Sequence, residues 1–284
     1  MPQEPRIDTV RHDVLARLAA SLDIPAPEGA VPPLWHWTAF LDAVPTRSLG
    51  PDGHPRSGGL IPDPPYPRRM FAGGRLHWDR PLPLDAEIER HISVGETTHK
   101  SGRNGPLAFV TVTLHYTVDG VKVATEEQDL VYRPEPDGPP ATDTEATREP
   151  HDARATPEPS PLLEGEPEPD LRADVILGPE HLFRFSALTF NTHRIHYDLP
   201  YATGVEGYPG LVVHGPLLAI RLAELVRAER SDDVVGGFSF RAMAPAFAGQ
   251  SLSFLAWKTE DGYRLAARRG PATLMAAEVV LRGG

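Results

Sequence analysis

The stretch FNTHRIHYD, residues 190–198, places two histidines, an asparagine and an aspartate in nine positions. It runs into LPYATGVEGYPGLVVHGPLLAIRLAEL, residues 199–225, which adds a third histidine where a helix should begin. Pro216 suits a first helical position, where its missing N–H has no partner to lose, and the apolar spacing predicts a helix from Pro216 to Arg230. Taken alone, the nine residues allow three readings: an acid–base site, a metal site or a polar turn. Histidine changes charge near neutrality and suits proton transfer. His193, His196 and Asp198 are also of the types that ligate zinc. His-x-x-His without a fixed third ligand is a weak metal signal, however, and an exposed polar turn accounts for His193 equally well. No metal is expected. His214, at the helix start, is expected to act as support.

On the N-terminal side of this stretch, HLFRFSALTF (181–190) reads as a strand leading into the histidines. On its C-terminal side, four strands are predicted: GGFSFRAM (236–243), SLSFLAWKT (251–259), YRLAARR (263–269) and TLMAAEVVL (273–281). The first half of the chain has a similar order. Ile7, Val10, Val14, Leu15, Leu18 and Leu22 recur at helical spacing. A second short helix is predicted across PLWHWTAFLDAV (33–44), and residues 46–69 read as a long loop. Strands follow at RRMFAGGRLHW (68–78), AEIERHISV (86–94), LAFVTVTLHYTV (107–118) and VKVATEEQDLVYR (121–133), the last two joined at Asp119-Gly120. Gly73-Gly74 and Gly236-Gly237 each open an aromatic strand, and together with the matching element order this favours an internal duplication.

The formal charge of −11 is concentrated in residues 134–170, where eleven Asp or Glu face two Arg. Such an acidic, proline-rich segment cannot bury enough apolar surface to offset its ordering entropy and reads as a tether. The expected divisions are therefore 1–133, a linker at 134–170, and 171–284. With that segment set aside the chain is close to neutral and has no basic stripe, which argues against nucleic acid as partner. No apolar run is long enough to span a bilayer, and MPQEPRIDTV lacks the features of a secretory signal. The absence of cysteine excludes disulfides and thiolate chemistry. A cytoplasmic location fits. There is no dinucleotide fingerprint, P-loop or serine-centred nucleophile elbow.

FRFSALTFNTHRIHYDLPYA, with GYPGLVVHGPLLAIRLAELV after it, resembles the hydratase motif of the MaoC-like (R)-specific enoyl-thioester hydratases and dehydratases. RAMAPAFAGQSLSF resembles the family's strand entering a proline–glycine turn. The N-terminal words DGHP, PYPRRMFAGGRL, HKSGRNGPLAFVTV and EEQDLVYR are similar to the N-terminal domain of its two-domain branch, which includes mesaconyl-CoA and itaconyl-CoA hydratases and 3-hydroxyacyl-thioester dehydratases. The likeness covers nearly the whole chain outside the linker. It implies an α+β double hotdog fold, with two antiparallel sheets each wrapped around a central helix. Asn191 stands where the family motif has an aspartate, His193 where it has asparagine, and Arg194 where it has proline.

The implied reaction is hydration or dehydration at the double bond of a short or branched enoyl-CoA, carboxylated ones included, or of a carrier-protein thioester. It needs a base for the attacking water, an acid for C2, and donors for the growing enolate oxygen. His196 suits the first two tasks. The N–H of Gly215, at the positive end of a helix, suits the third. Asn191 either holds the water or caps the turn. Arg68, Arg69, Lys100 and Arg103, together with Arg194 and His214, are the candidate substrate-side residues, arginine's planar fork matching phosphate and carboxylate. Solvated surface charge is the alternative for the four basic residues of the N-terminal half. Trp35, Trp37 and Phe40 line either an acyl tunnel or the core. The resemblance implies no metal, flavin or nicotinamide, an acyl-CoA or acyl-carrier-protein partner, and a homodimer of double-hotdog chains. The rival functions are a hotdog thioesterase and a non-catalytic acyl-CoA-binding module.

Overall fold

The structure is a computed structural model and describes residues 4–56, 66, 68–102, 105–134, 156–229 and 235–282. Its centre is an antiparallel sheet built from both halves of the chain. The N-terminal half contributes β1 (Arg6–Thr9), β2 (Arg68–Trp78), β3 (Glu87–Val94), β4 (Thr98–Gly102), β5 (Gly105–Val118) and β6 (Val121–Arg133). The C-terminal half contributes β7 (Leu171–Ile176), β8 (Val235–Ala242), β9 (Ser251–Lys258), β10 (Gly262–Arg269) and β11 (Ala272–Leu281). The order is β1-β3-β5-β6-β2-β8-β11-β10-β9-β7, with β4 paired to β5. The halves meet where β2 lies antiparallel to β8, Gly73 opposite Arg241 and His77 opposite Gly237. The two glycine-led strands that echo each other in sequence are thus the two sides of the seam. A Cβ at Gly73 would lie 2.5 Å from the Phe240 carbonyl oxygen, so the close approach of the strands requires glycine there.

Helix α4 (Gly215–Glu229) packs against all five C-terminal strands. Leu217, Leu218, Ile220, Leu222 and Val226 are buried, and a helix apolar around so much of its circumference belongs inside a wrapped sheet. In the N-terminal half, α1 (His12–Leu22) and a 3₁₀ turn at Trp35–Thr38 bring Leu15, Leu18, Leu22 and Trp35 into the same continuous core. This is the double hotdog arrangement that the resemblance implied.

Three local expectations are corrected. HLFRFSALTF is not a strand: α2 spans Pro179–Leu188. Its apparent alternation is outweighed by a helical stripe, Leu182, Phe185 and Ser186, which is buried while Phe183 is exposed. Pro179 at the first position and a hydrogen bond from the Gly178 N–H to His181 Nδ1 start it. Ile7 and Val10 lie outside α1, Ile7 in the short strand β1. The helix expected across 33–44 is reduced to the 3₁₀ turn, after which Phe40 adopts a left-handed φ of 57° that α-helix does not permit.

The acidic segment also differs from a free tether. Its residues 135–155 lie outside the described residues, but 156–170 run along the outer face of β9 and β10. The N–H groups of Glu158 and Ser160 donate to the hydroxyls of Ser251 and Ser253. Trp257 Nε1 donates to the Pro167 carbonyl, and Glu166 takes both terminal nitrogens of Arg268. Polar pairing with the strand, not an apolar core of its own, holds this segment down. No helix among the described residues is long and apolar enough to cross a membrane.

Candidate active site

The histidine stretch lies between α2 and α4, and backbone bonds fix it on both sides. Asn191 N–H donates to the Ser186 carbonyl, and Val212 N–H donates to the Ile195 carbonyl. A short 3₁₀ turn, Arg194–His196, carries His196 inward, where the residue is 7 % exposed. His196 Nδ1 lies 2.7 Å from the Val212 carbonyl oxygen. A carbonyl only accepts, so Nδ1 carries the proton and Nε2 is left with its lone pair. Burial pushes the pKa of His196 down to about 4; the bond to Val212 opposes that shift and His54 adds to it. The ring is therefore neutral at neutral pH, with a base nitrogen available.

His214 sits directly behind it. The rings are stacked, with centroids 3.6 Å apart and planes 19° from parallel. His214 Nε2 lies 2.8 Å from Ser186 Oγ, while its Nδ1 is buried without a partner. Neutral His214 with its proton on Nε2, donated to Ser186, leaves only a lone pair unmatched. Protonating Nδ1 would orphan a charged N–H, so burial, reinforced by His196 and His193, holds the pKa well below the ordinary value. His214 thus buttresses His196 from the core side. Its carbonyl accepts the N–H groups of Leu217 and Leu218, and Pro216 has none. The Gly215 N–H stands at the positive end of α4. A Cβ at Gly215 would meet no heavy atom within 4 Å, so this residue borders open space.

Asn191 is engaged locally, since its Oδ1 accepts the His193 N–H at 3.0 Å. This is the turn-capping geometry. Arg194 is held by the protein: it pairs with Asp198 Oδ2 at 2.7 Å, donates to the Pro51 carbonyl and covers the Tyr201 ring. That geometry makes it a loop clamp. Asp198, held below the usual carboxylate range by Arg194, also accepts the Tyr201 N–H at the start of α3 (Leu199–Gly204). His196 and Asp198 therefore face different partners, and the set His193, His196 and Asp198 is not gathered around one point.

The remaining candidates lie in the N-terminal half. Arg68 and Arg69 are described only for their backbone, on β2 opposite Arg133 and Tyr132. Lys100, opposite Leu107, stacks over the Phe109 ring at 5.0 Å. Through β5 and β6, where Ala108 pairs with Tyr132, the register brings these three residues to one end of the sheet. Arg103 lies outside the described residues. Trp35 and Phe40 are core, whereas Trp37 is half-buried against Phe71 and Phe240 at the seam.

The loop carrying Asp52 and His54 belongs to the site although neither residue is among those expected from the sequence. It crosses from the N-terminal half onto the histidine stretch. Arg194 N–H donates to the Asp52 carbonyl and Thr192 Oγ1 to the Gly53 carbonyl. Gly53 has φ +88°, and a Cβ there would lie 1.9 Å from the Thr192 carbonyl oxygen. His54 Nδ1 lies 3.2 Å from Asp52 Oδ2, and the His54 ring is 4.1 Å from that of His193. Burial works to raise the Asp52 pKa, but hydrogen bonds from the His54 ring and backbone outweigh it and keep the carboxyl below its usual range. Asp52, His54 and His193 also present nitrogen and oxygen atoms within 4.8 Å of one another, a set of donors compatible with a cation. The signal in the sequence was the word DGHP itself, a polar residue and a histidine flanking a glycine within a loop.

The sequence profile for hydroxyacyl-thioester dehydratase type 2 matches residues 34–248. The chain is 45% identical to mesaconyl-C(4)-CoA hydratase of Chloroflexus aurantiacus, covering 98% of this chain and 96% of that protein. It is 43% identical over 76 residues to the mitochondrial hydroxyacyl-thioester dehydratase type 2 of Schizosaccharomyces pombe, which is 26% of this chain and 25% of that one. Among solved structures, a MaoC-like dehydratase from Phytophthora capsici superposes with a TM-score of 0.66 at 15% identity, over 98% of this chain and 94% of that chain, a likeness of fold. A profile match spanning the histidine stretch, the Asp52 loop and the start of α4, with a relative aligned along nearly its whole length, places this chain in the hydroxyacyl-thioester dehydratase type 2 family.

Proposed function

We propose that the protein is a hydro-lyase that adds water to, or removes it from, the double bond of a CoA thioester. Its favoured substrate is a short, branched, carboxylated enoyl-CoA of the mesaconyl-C(4) kind. The observation that carries this reading is His196: a buried, neutral imidazole, its tautomer set by the Val212 carbonyl, beside an N–H at a helix start. In hydration, Nε2 of His196 takes a proton as water attacks C3. The negative charge moves to the thioester oxygen, where the Gly215 N–H and the positive end of α4 oppose it. The enolate then collapses with protonation at C2. Burial makes the imidazolium more acidic than an ordinary one, so it releases the proton readily. His214 and Ser186 hold the ring, and Arg194 holds the loop.

The relative's carboxylated substrate supports the choice of acyl group. Arg68, Arg69, Lys100 and Arg103 would meet the CoA phosphates or the free carboxylate, with Trp37 along the acyl chain. Incubation with crotonyl-, mesaconyl- and itaconyl-CoA, following enoyl absorbance and free thiol separately, tests the reading. Enoyl loss without thiol release is expected, fastest with a carboxylated substrate. Thiol release would identify a thioesterase, and no change with any substrate would leave a binding module.

A further inference from the structure

We propose that Asp52 and His54 form a second acid–base pair of this active site, exchanging the proton at C2 while His196 serves the attacking water. The inference rests on the hydro-lyase reading above. The reaction moves two protons at adjacent carbons, and no carboxylate stands at position 191, where Asn191 is engaged in its turn. The N-terminal half brings a carboxylate and an imidazole to the same place.

The delivery is built into the backbone. Gly53, in a left-handed conformation, lets the loop touch the Thr192 carbonyl at a separation that no side chain would permit. Hydrogen bonds from Arg194 N–H to Asp52 O at 2.8 Å, Thr192 Oγ1 to Gly53 O at 2.6 Å and Arg194 Nη1 to Pro51 O at 2.9 Å pin it to the stretch that carries His196. Within the loop, Asp52 accepts both the backbone N–H and the ring Nδ1 of His54. That pairing fixes the ring and leaves Nε2 as its working nitrogen. The His54 and Asp52 side chains are 20 % and 24 % exposed, held yet reachable. The His193 ring touches both, 4.1 Å from that of His54 and 5.5 Å edge-on from that of His196.

The step balances without a co-reactant. Water's oxygen bonds to C3 and its proton passes to His196 Nε2. The C2–C3 π pair moves into the enolate, and the His54 imidazolium gives its Nε2 proton to C2. The proton on His196 then returns to His54 through His193 or solvent, restoring both groups. Dehydration is the reverse, with His54 taking the C2 proton.

The test compares wild type, His54→Ala and Asp52→Asn in dehydration of a 3-hydroxyacyl-CoA carrying deuterium or hydrogen at C2. His54→Ala should lower kcat by ~100-fold or more, as loss of a positioned acid–base group does. It should also raise the isotope effect on kcat, because C2–H cleavage becomes slower than every other step, and added imidazole should restore part of the rate. Asp52→Asn should shift both quantities in the same direction by less. If the alanine variant does not fold, His54→Gln, which keeps a donor toward Asp52, gives the same comparison. A His54 variant within about threefold of wild type would overturn the proposal while leaving the hydro-lyase reading intact. So would a loss of rate with an unchanged isotope effect and no imidazole rescue, which would make the pair a positioning element. Stoichiometric zinc in active wild type that disappears with His54 would overturn it in favour of a metal site. Wild type inactive on every enoyl-CoA and 3-hydroxyacyl-CoA would overturn both readings.

Discussion

Acidification should destabilise this protein through His196, and the structure gives the size of the effect. The ring is 7 % exposed and its pKa lies at about 4, against an ordinary value of 6.5. As pH falls below 6.5 the unfolded chain takes up a proton at this position while the folded chain does not. Stability is therefore full above about 6.5, declines with pH, and levels off below about 4. The whole loss from this one group is about 3 kcal/mol, and about 2 kcal/mol of it has accumulated by pH 5. His214, depressed for the same reason, adds a slope of the same sign. Urea unfolding of wild type and His196→Gln at pH 7, 6 and 5 isolates the His196 contribution. The stability of wild type relative to the variant should fall by about 2 kcal/mol between pH 7 and 5. Parallel curves would show that His196 is not held neutral by burial.

Three further outcomes follow from named contacts. Asn191→Ala should cost about 1 kcal/mol in urea unfolding, the value of the lost bond to the His193 N–H, whereas Asn191→Asp, which keeps an acceptor, should cost less. Gly53→Ala should lower kcat/KM by ~10-fold or more, measured on protein whose circular dichroism matches wild type, because the Cβ forces the Asp52 loop off the Thr192 carbonyl. Glu166→Ala should cost about 2–3 kcal/mol by thermal or urea unfolding with kcat unchanged, because it leaves the 2 %-exposed Arg268 without its carboxylate on the face away from the site.

The long strands were legible because period-2 alternation and Gly-containing turns are local signals. The four C-terminal strands and β2, β3, β5 and β6 all lie where the pattern put them. Short edge strands were not: β1 and β7 carry little alternation, and their pairing to β3 and β9 is decided by tertiary contact. In α2, HLFRFSALTF satisfies both periods over a few residues, and only packing of Leu182, Phe185 and Ser186 under the site resolves it. His196, His214 and Gly215 could be found from one contiguous motif, since their neighbours in space are largely their neighbours in sequence. Asp52 and His54 lie about 140 residues away from that motif, and nothing local announces that a left-handed glycine will bring them to it.

In the proposed reaction, water adds across C2 and C3 while the thioester stays intact. Mass spectrometry of the product formed from mesaconyl-C(4)-CoA in ¹⁸O-labelled water tests it in one measurement. One heavy oxygen in the hydroxyl of an intact CoA thioester, absent when His196 is replaced by alanine, is the predicted result. Heavy oxygen in a released free acid, or labelled hydroxy thioester formed at the wild-type rate by His196→Ala, would contradict it.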